Sequence, residues 1–347
     1  MTLSPPIVSA FLKYCSDRNM RRTLWEAQRT RASIVQDDIG LSNHMILNEI
    51  RQRRWDLSKV LGYKNYAEMS MENKMAGSVE NVLAMIESFK SKFAGQADEE
   101  IASLQQFAQS NGFSGTLEMW DIDYWRNKQK EHLFNLDQGE LMEYFPLPNV
   151  LEKLFDMTGN LFGITIKDCT GEVDTWHEDV RFYKVYDAQD TSTEIGAFYL
   201  DPYERLHKQQ GSWITKGRDH SELMGTRPLC YLNLNLAPPV MGRPCLMLPG
   251  EVNVLFSLFG DALQQLLTTV PYCEIAGQSY IDWDCGYTVH RLMGMLLYQP
   301  HVLSHMSGHY ETGKALTGDT VNAVINMGLH MSAYDMMSEL YLAAYDM

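Results

Sequence analysis

Glu251-Val-Asn-Val-Leu-Phe-Ser-Leu-Phe-Gly-Asp-Ala-Leu263 is the stretch whose reading decides the fold. Leu255, Leu258, Phe259, Ala262, Leu263 and Leu266 recur at spacings of three and four, which predicts a helix with one broad apolar face turned to a core. Ser257 and Asp261 stand one helical turn apart on that helix, as a polar strip beside a channel or as a solvated edge. Working outward, the helical period covers Glu251 to Thr269, Tyr287 to Leu297 and Asp319 to the C-terminus.

Before this block the period shortens. Ile164-Thr-Ile166, Val180 to Tyr186 and Ile195 to Leu200 are β-rich runs bounded by turn-forming residues, and Leu229 to Leu236 is one more apolar run in a Gly- and Pro-rich region. The first ~160 residues read as helix after helix. A charged segment runs from Asn19 to Thr30 behind an Asn cap. Leu41–Leu61, a long helix opened by Ser78, Thr116–Phe134, a start at Asp137-Gln-Gly-Glu140, and Asn149–Phe162 follow. The expectation is a mainly α protein with a small inserted β-sheet: a helical block over 1–163, sheet and loops over 164–250, and a helical block over 251–347, forming one continuous unit.

Composition excludes several classes. The 347 residues carry 44 Asp and Glu against 29 Lys and Arg, a net charge of −15, which argues against nucleic acid and against an anionic membrane surface as partners. At 45% hydrophobic and 21% charged, this is the composition of a folded globular chain. Six cysteines, with no C-x-x-C pair among them, read as reduced buried thiols. The N-terminal stretch has no basic, apolar leader pattern, and no run of about 18 apolar residues occurs, so the expected location is cytoplasmic.

Five segments in order carry a family resemblance: Leu61 to Ser70; Val180 to Asp187 with Ile195 to Tyr203; Arg227 to Pro239; Glu251 to Leu263; and Ser307-Gly-His-Tyr-Glu-Thr-Gly313. Together the chain resembles the thimet oligopeptidase/oligopeptidase A family of zinc metallopeptidases. The resemblance implies a multi-helical, zincin-type fold with a small sheet beside the active site and a channel that admits short peptides. It also implies one zinc, held by the two His of an H-E-F-G-H helix and a Glu on a following helix, with the motif's Glu activating water.

This sequence departs from that pattern at the decisive positions. Ser257, Leu258 and Asp261 stand where the family has His, Glu and His, and an ungapped count places the third ligand at Tyr287. The general-base position is therefore Leu258, and no catalytic residue or metal ligand is expected. His301, His305 and His309 have i, i+4, i+8 spacing, but Gly308 and the turn-like Tyr310-Glu-Thr-Gly313 are expected to end that helix before His309. Cys285 lacks a neighbouring cation to activate it, and His290 reads as a packed or exposed histidine.

The expectation is a catalytically inactive, truncated oligopeptidase-like protein that binds no cofactor. It would serve as a structural subunit or as a peptide- or protein-binding module, with a peptide groove near Ser257, Asp261, Tyr287, His309 and Tyr310. The alternative is a zinc-dependent metallo-oligopeptidase cleaving short peptides. The resemblance also implies family segments before and after this stretch. Without them, apolar surface would need covering by a protein partner or a second copy.

Overall fold

The computed structural model describes residues 3–35 and 39–347, leaving the first two residues of the N-terminal stretch outside. The helices are α1 Pro5–Tyr14, α2 Arg18–Arg29, α3 His44–Val60, α4 Tyr66–Met71, α5 Val79–Ser110, α6 Met119–Phe134, α7 Gln138–Met142 and α8 Leu147–Phe162. Five strands follow: β1 Ile164–Asp168, β2 Arg181–Asp187, β3 Glu194–Tyr203, β4 Trp213–Arg218 and β5 Leu229–Leu236. The chain then returns to helix in α9 Pro249–Leu266, α10 Thr288–Leu297, α11 Pro300–Met306, α12 Gly318–Leu329 and α13 Ser332–Asp346. It is a mainly α protein with one small sheet.

The caps explain several boundaries. Ser78 accepts from the Asn81 amide at the head of α5, and Asp137 accepts from the Glu140 amide at the head of α7. For α2 the cap is Asp17, which accepts from the Met20 amide at 3.0 Å, rather than Asn19. The last helical stretch breaks in two at Met331, whose φ of +59° lies in the left-handed region.

Contacts divide the chain into two units, residues 1–135 with 327–347, and residues 136–326. In the first, α13 packs along α5, and α6 packs against α1, α2 and α5. Leu104, Ile122 and Met331 form a buried cluster here, with Trp125 and Tyr334 against it. Asp121, wholly buried, accepts from Arg21, also buried, at 2.8 Å and from Arg18 at 2.8 Å, so α2 is tied to α6 by a paired charge.

The second unit holds the sheet, in the order β1-β2-β3-β5-β4, antiparallel throughout except for the parallel pair β3–β5. β4 is an edge strand missed in the sequence: Lys216-Gly-Arg218 is exposed, and its pairing to β5 supplies what side-chain burial does not. On the other side, α9 packs on β3, β4 and β5, and α10 packs on α9. Phe155 of α8, Phe198 of β3 and Phe259 of α9 meet with ring centroids 5.6 to 6.1 Å apart, joining helix, sheet and helix in one core. Leu255, Leu258, Phe259, Ala262, Leu263 and Leu266 are all buried, as the stripe predicts.

Candidate functional site

The helix that decides the fold also carries the candidate site. Pro249 opens α9, and the Glu251 carboxylate accepts from the Leu248 amide at 2.7 Å, fixing the helix start ahead of residues 257–261. Ser257 and Leu258 are 7% exposed and Asp261 6%, so the polar strip lies in the interior and not at a solvated edge.

What the strip faces is α10. A Cβ built on Gly260 would sit 2.6 Å from the Val289 carbonyl oxygen, so only glycine lets the two backbones approach this closely. Five residues further along α10, a Cβ on Gly294 would sit 2.5 Å from Ser257 Oγ. Asn253 donates to the Gly294 carbonyl at 2.8 Å, one turn before Ser257.

Asp261 has a partner that sequence reading did not assign. Its Oδ2 lies 2.8 Å from His290 Nδ1, in a pair that bridges α9 and α10. Burial raises the Asp261 carboxyl above its ordinary value, while the hydrogen bond and charge of His290 act the other way. The His290 side chain is 22% exposed. The only sequence signal for this pair is that a lone Asp on a buried stripe needs a partner, which does not say which residue supplies it.

Tyr287 is the N-cap of α10 and 57% exposed. Its ring meets that of His290 edge to face at 5.5 Å. The residue of α10 that faces Ser257 is Gly294, two turns further on.

The remaining candidates gather in a second place in the same unit. α11 ends at Met306, before His309, with His301 and His305 exposed. The Gly308 and Tyr310 amides donate to the Tyr144 and Glu143 carbonyls at 2.7 and 2.9 Å, pinning the segment. His309 Nδ1 accepts from the Glu311 amide at 3.2 Å, so Nε2 carries the proton toward Glu143 Oε2, also at 3.2 Å. Tyr310 stacks on His309 at 5.2 Å, and the Arg243 guanidinium stands 5.7 Å from the Tyr310 ring centroid. The His309 and Tyr310 rings thus form a stack flanked by Arg243 on one side and tied to Glu143 on the other.

Zinc, which the resemblance implies, takes three His, Cys or carboxylate donors converging at about 2.0–2.3 Å. The residues present do not fit it. Leu258 offers no donor, Ser257 only a hydroxyl against Gly294, Tyr287 stands exposed at the helix start, and Asp261 is engaged by His290. Among the described residues, no three His, Cys, Asp or Glu side chains gather in a metal-holding group.

A mainly helical chain with a small sheet packed on the helix of residues 257–261 has the metallopeptidase-like class of fold. The chain belongs to peptidase family M3, whose family model matches residues 11–347. It is similar to oligopeptidase A of Salmonella typhimurium, 32% identical over 100% of this chain and 51% of that protein. It is likewise similar to oligopeptidase A of Escherichia coli, with the same identity and shares. The mitochondrial intermediate peptidase of Arabidopsis thaliana is 27% identical over 99% of this chain and 48% of its own length. The chain spans about half the length of these curated relatives.

Proposed function

We propose that this chain is a catalytically inactive family member, serving as a structural subunit or a peptide- or protein-binding module. One observation carries the reading: Ser257, Leu258 and Asp261 replace the zinc-binding and general-base residues of the family helix, and the one carboxylate left is paired with His290. With no donor set to hold a metal-activated water and Leu258 at the family's general-base position, the family's route to a nucleophile is missing from this helix. Peptide binding, in this proposal, rests on the His309–Tyr310 segment and the exposed Tyr287, since Ser257 and Asp261 lie buried against α10.

A partner is part of the proposal. On α3, Met45, Ile46, Leu47, Ile50, Trp55 and Val60 are exposed, more apolar surface than one helix of a monomer ordinarily shows to water. A protein partner or a second copy would cover it, and light scattering of the purified chain tests this. A compact soluble monomer counts against it. Cytoplasmic residence belongs here too, supported by six cysteines that form no disulfide among the described residues. Among the described residues, no helix is long and apolar enough to cross a membrane.

The deciding experiment is metal content by mass spectrometry, together with cleavage of quenched-fluorescent short peptides with and without chelator. Sub-stoichiometric zinc and no chelator-sensitive cleavage are expected. One zinc per chain with chelator-sensitive cleavage would establish the rival reading, a zinc-dependent metallo-oligopeptidase, which the names of the relatives favour.

A further inference from the structure

The sheet carries unassigned chemistry on the face turned away from α9. Phe198 of β3 meets Phe259 of α9, so its alternates Tyr199 and Asp201 point to the opposite face. Register sets Asp201, Asn233 of β5 and Trp213 of β4 in one row across that face, and Tyr199, Tyr231 and Thr215 in the next. Trp176, from the connection between β1 and β2, reaches both rows. Its ring centroid lies 5.2 Å from that of Tyr199 and 5.7 Å from that of Tyr231, and its Nε1 donates to Asp201 at 3.0 Å. Trp176, Trp213, Tyr231 and Asn233 line a cavity of about 330 Å³, within the range of small-molecule sites.

Trp176 is 49% exposed, yet its ring is fixed from below by buried charge. The Asp201 carboxylate accepts from Trp176, from the two Nη atoms of Arg205 at 2.6 and 2.7 Å, and from the buried Lys208 at 2.9 Å. Burial alone would raise this carboxyl, and the hydrogen bonds of Arg205, Lys208 and Trp176 outweigh it, holding it at about 2. A large ring is thus held open to water in one orientation, which is preorganisation for a ligand.

These charges are spent internally, and that decides what the cavity takes. Each Asp201 oxygen already accepts two donors, and the two cations bonded to it outnumber it, so a cationic ligand gains nothing here. An anion fares no better. The Arg205 fork is filled by Asp201, and Lys208 spends its N–H groups on Asp201 and on the Asp201 and Tyr203 carbonyls at 3.0 and 2.8 Å.

What the cavity offers is neutral hydrogen bonding. Arg205 Nε, Trp213 Nε1, the Thr215 hydroxyl, the Gln209 amide and Asn233 Oδ1 belong to lining residues, and none has a partner among the described residues. They mix donors with acceptors beside aromatic faces. Hydroxyl groups both donate and accept, and a saturated ring bearing them turns its C–H faces to Trp and Tyr. A proline-rich segment offers carbonyl acceptors and no donor, leaving Asn233 Oδ1 unmet.

We propose that this face is a carbohydrate site, taking one neutral pyranose ring against Trp176, Trp213 and Tyr231, with its hydroxyls on Asn233, Thr215, Gln209 and Arg205 Nε. It shares no residue with the His309–Tyr310 segment and does not depend on whether α9 binds zinc.

The probes are the methyl pyranosides of glucose, galactose and mannose, titrated into the whole chain and read by saturation-transfer NMR and tryptophan fluorescence. At least one should bind saturably at millimolar concentration, with saturation reaching its ring C–H protons. Trp213→Ala should weaken that binding about fivefold to tenfold, the worth of one aromatic contact. Thr215→Val should weaken it severalfold. Thr215 is exposed, so this variant keeps the wild-type melting temperature and decides the question where Trp213→Ala does not fold. No saturable binding of any of the three sugars, or equal affinity in wild type and Thr215→Val, overturns the proposal. Saturable binding of a proline-rich peptide or of adenosine monophosphate in place of every sugar overturns it as well.

Discussion

Removing His290 tests whether the Asp261–His290 pair is what holds α10 against the candidate helix. Charge-assisted hydrogen bonds contribute about 1.5–3 kcal/mol. The two partners are unequally placed: Asp261 is 6% exposed, whereas the His290 side chain is 22% exposed. His290→Ala strands a buried carboxylate and should cost about 2–3 kcal/mol. Asp261→Ala leaves an imidazole that water reaches, and should cost about 1 kcal/mol. In a double-mutant cycle the coupling should be about 1–2 kcal/mol.

The pH dependence carries the sign. Burial already raises the Asp261 carboxyl above 3.8, and loss of the partner that lowers it raises it further. A raised native value means that the folded state binds the proton more tightly. Stability in His290→Ala therefore falls as pH rises from 3.8 through the native value, and the full penalty applies above it. Native-state hydrogen exchange on peptides from α9 and α10 reads both quantities. A coupling below about 0.5 kcal/mol, or a penalty that persists unchanged at low pH, would refute the reasoning.

Three further outcomes follow from the same geometry. The variant S257H/L258E/D261H/Y287E restores the four family residues and should bind zinc by mass spectrometry before it cleaves any peptide, whereas S257H/L258E/D261H/G294E should not, because a Cβ at position 294 would lie 2.5 Å from the residue-257 side chain. Phe259→Ala empties the junction of three aromatic rings and should cost about 3–5 kcal/mol in urea unfolding of the second unit. Arg21→Met leaves the buried Asp121 with only the half-exposed Arg18, and should destabilise the first unit by about 3 kcal/mol in hydrogen exchange on α2 and α6.

Much of the architecture was legible because it is written in local periodicity. The stripe from Leu255 to Leu266, the Ser78 and Asp137 caps and the alternating runs of β1, β2, β3 and β5 each depend on neighbours within a few residues. β4 escaped because an edge strand with Lys216 and Arg218 has no apolar alternation to read. α11 is a seven-residue helix opened by Pro300, too short for its period to stand out.

The candidate site divides along the same line. The sequence alone determined that Ser257, Leu258 and Asp261 occupy one helix at positions one turn apart, since that needs only the α-helical repeat. Which residues meet them was decided by tertiary structure. Between α9 and α10 lie residues 267–287, turns and one three-residue 3-10 helix at Cys273–Ile275, through which no period can be counted, so neither the rotation nor the register of α10 follows from spacing. Packing of Gly260 against the Val289 backbone sets that register, and it places His290 on Asp261 and Gly294 on Ser257 while leaving Tyr287 in solvent.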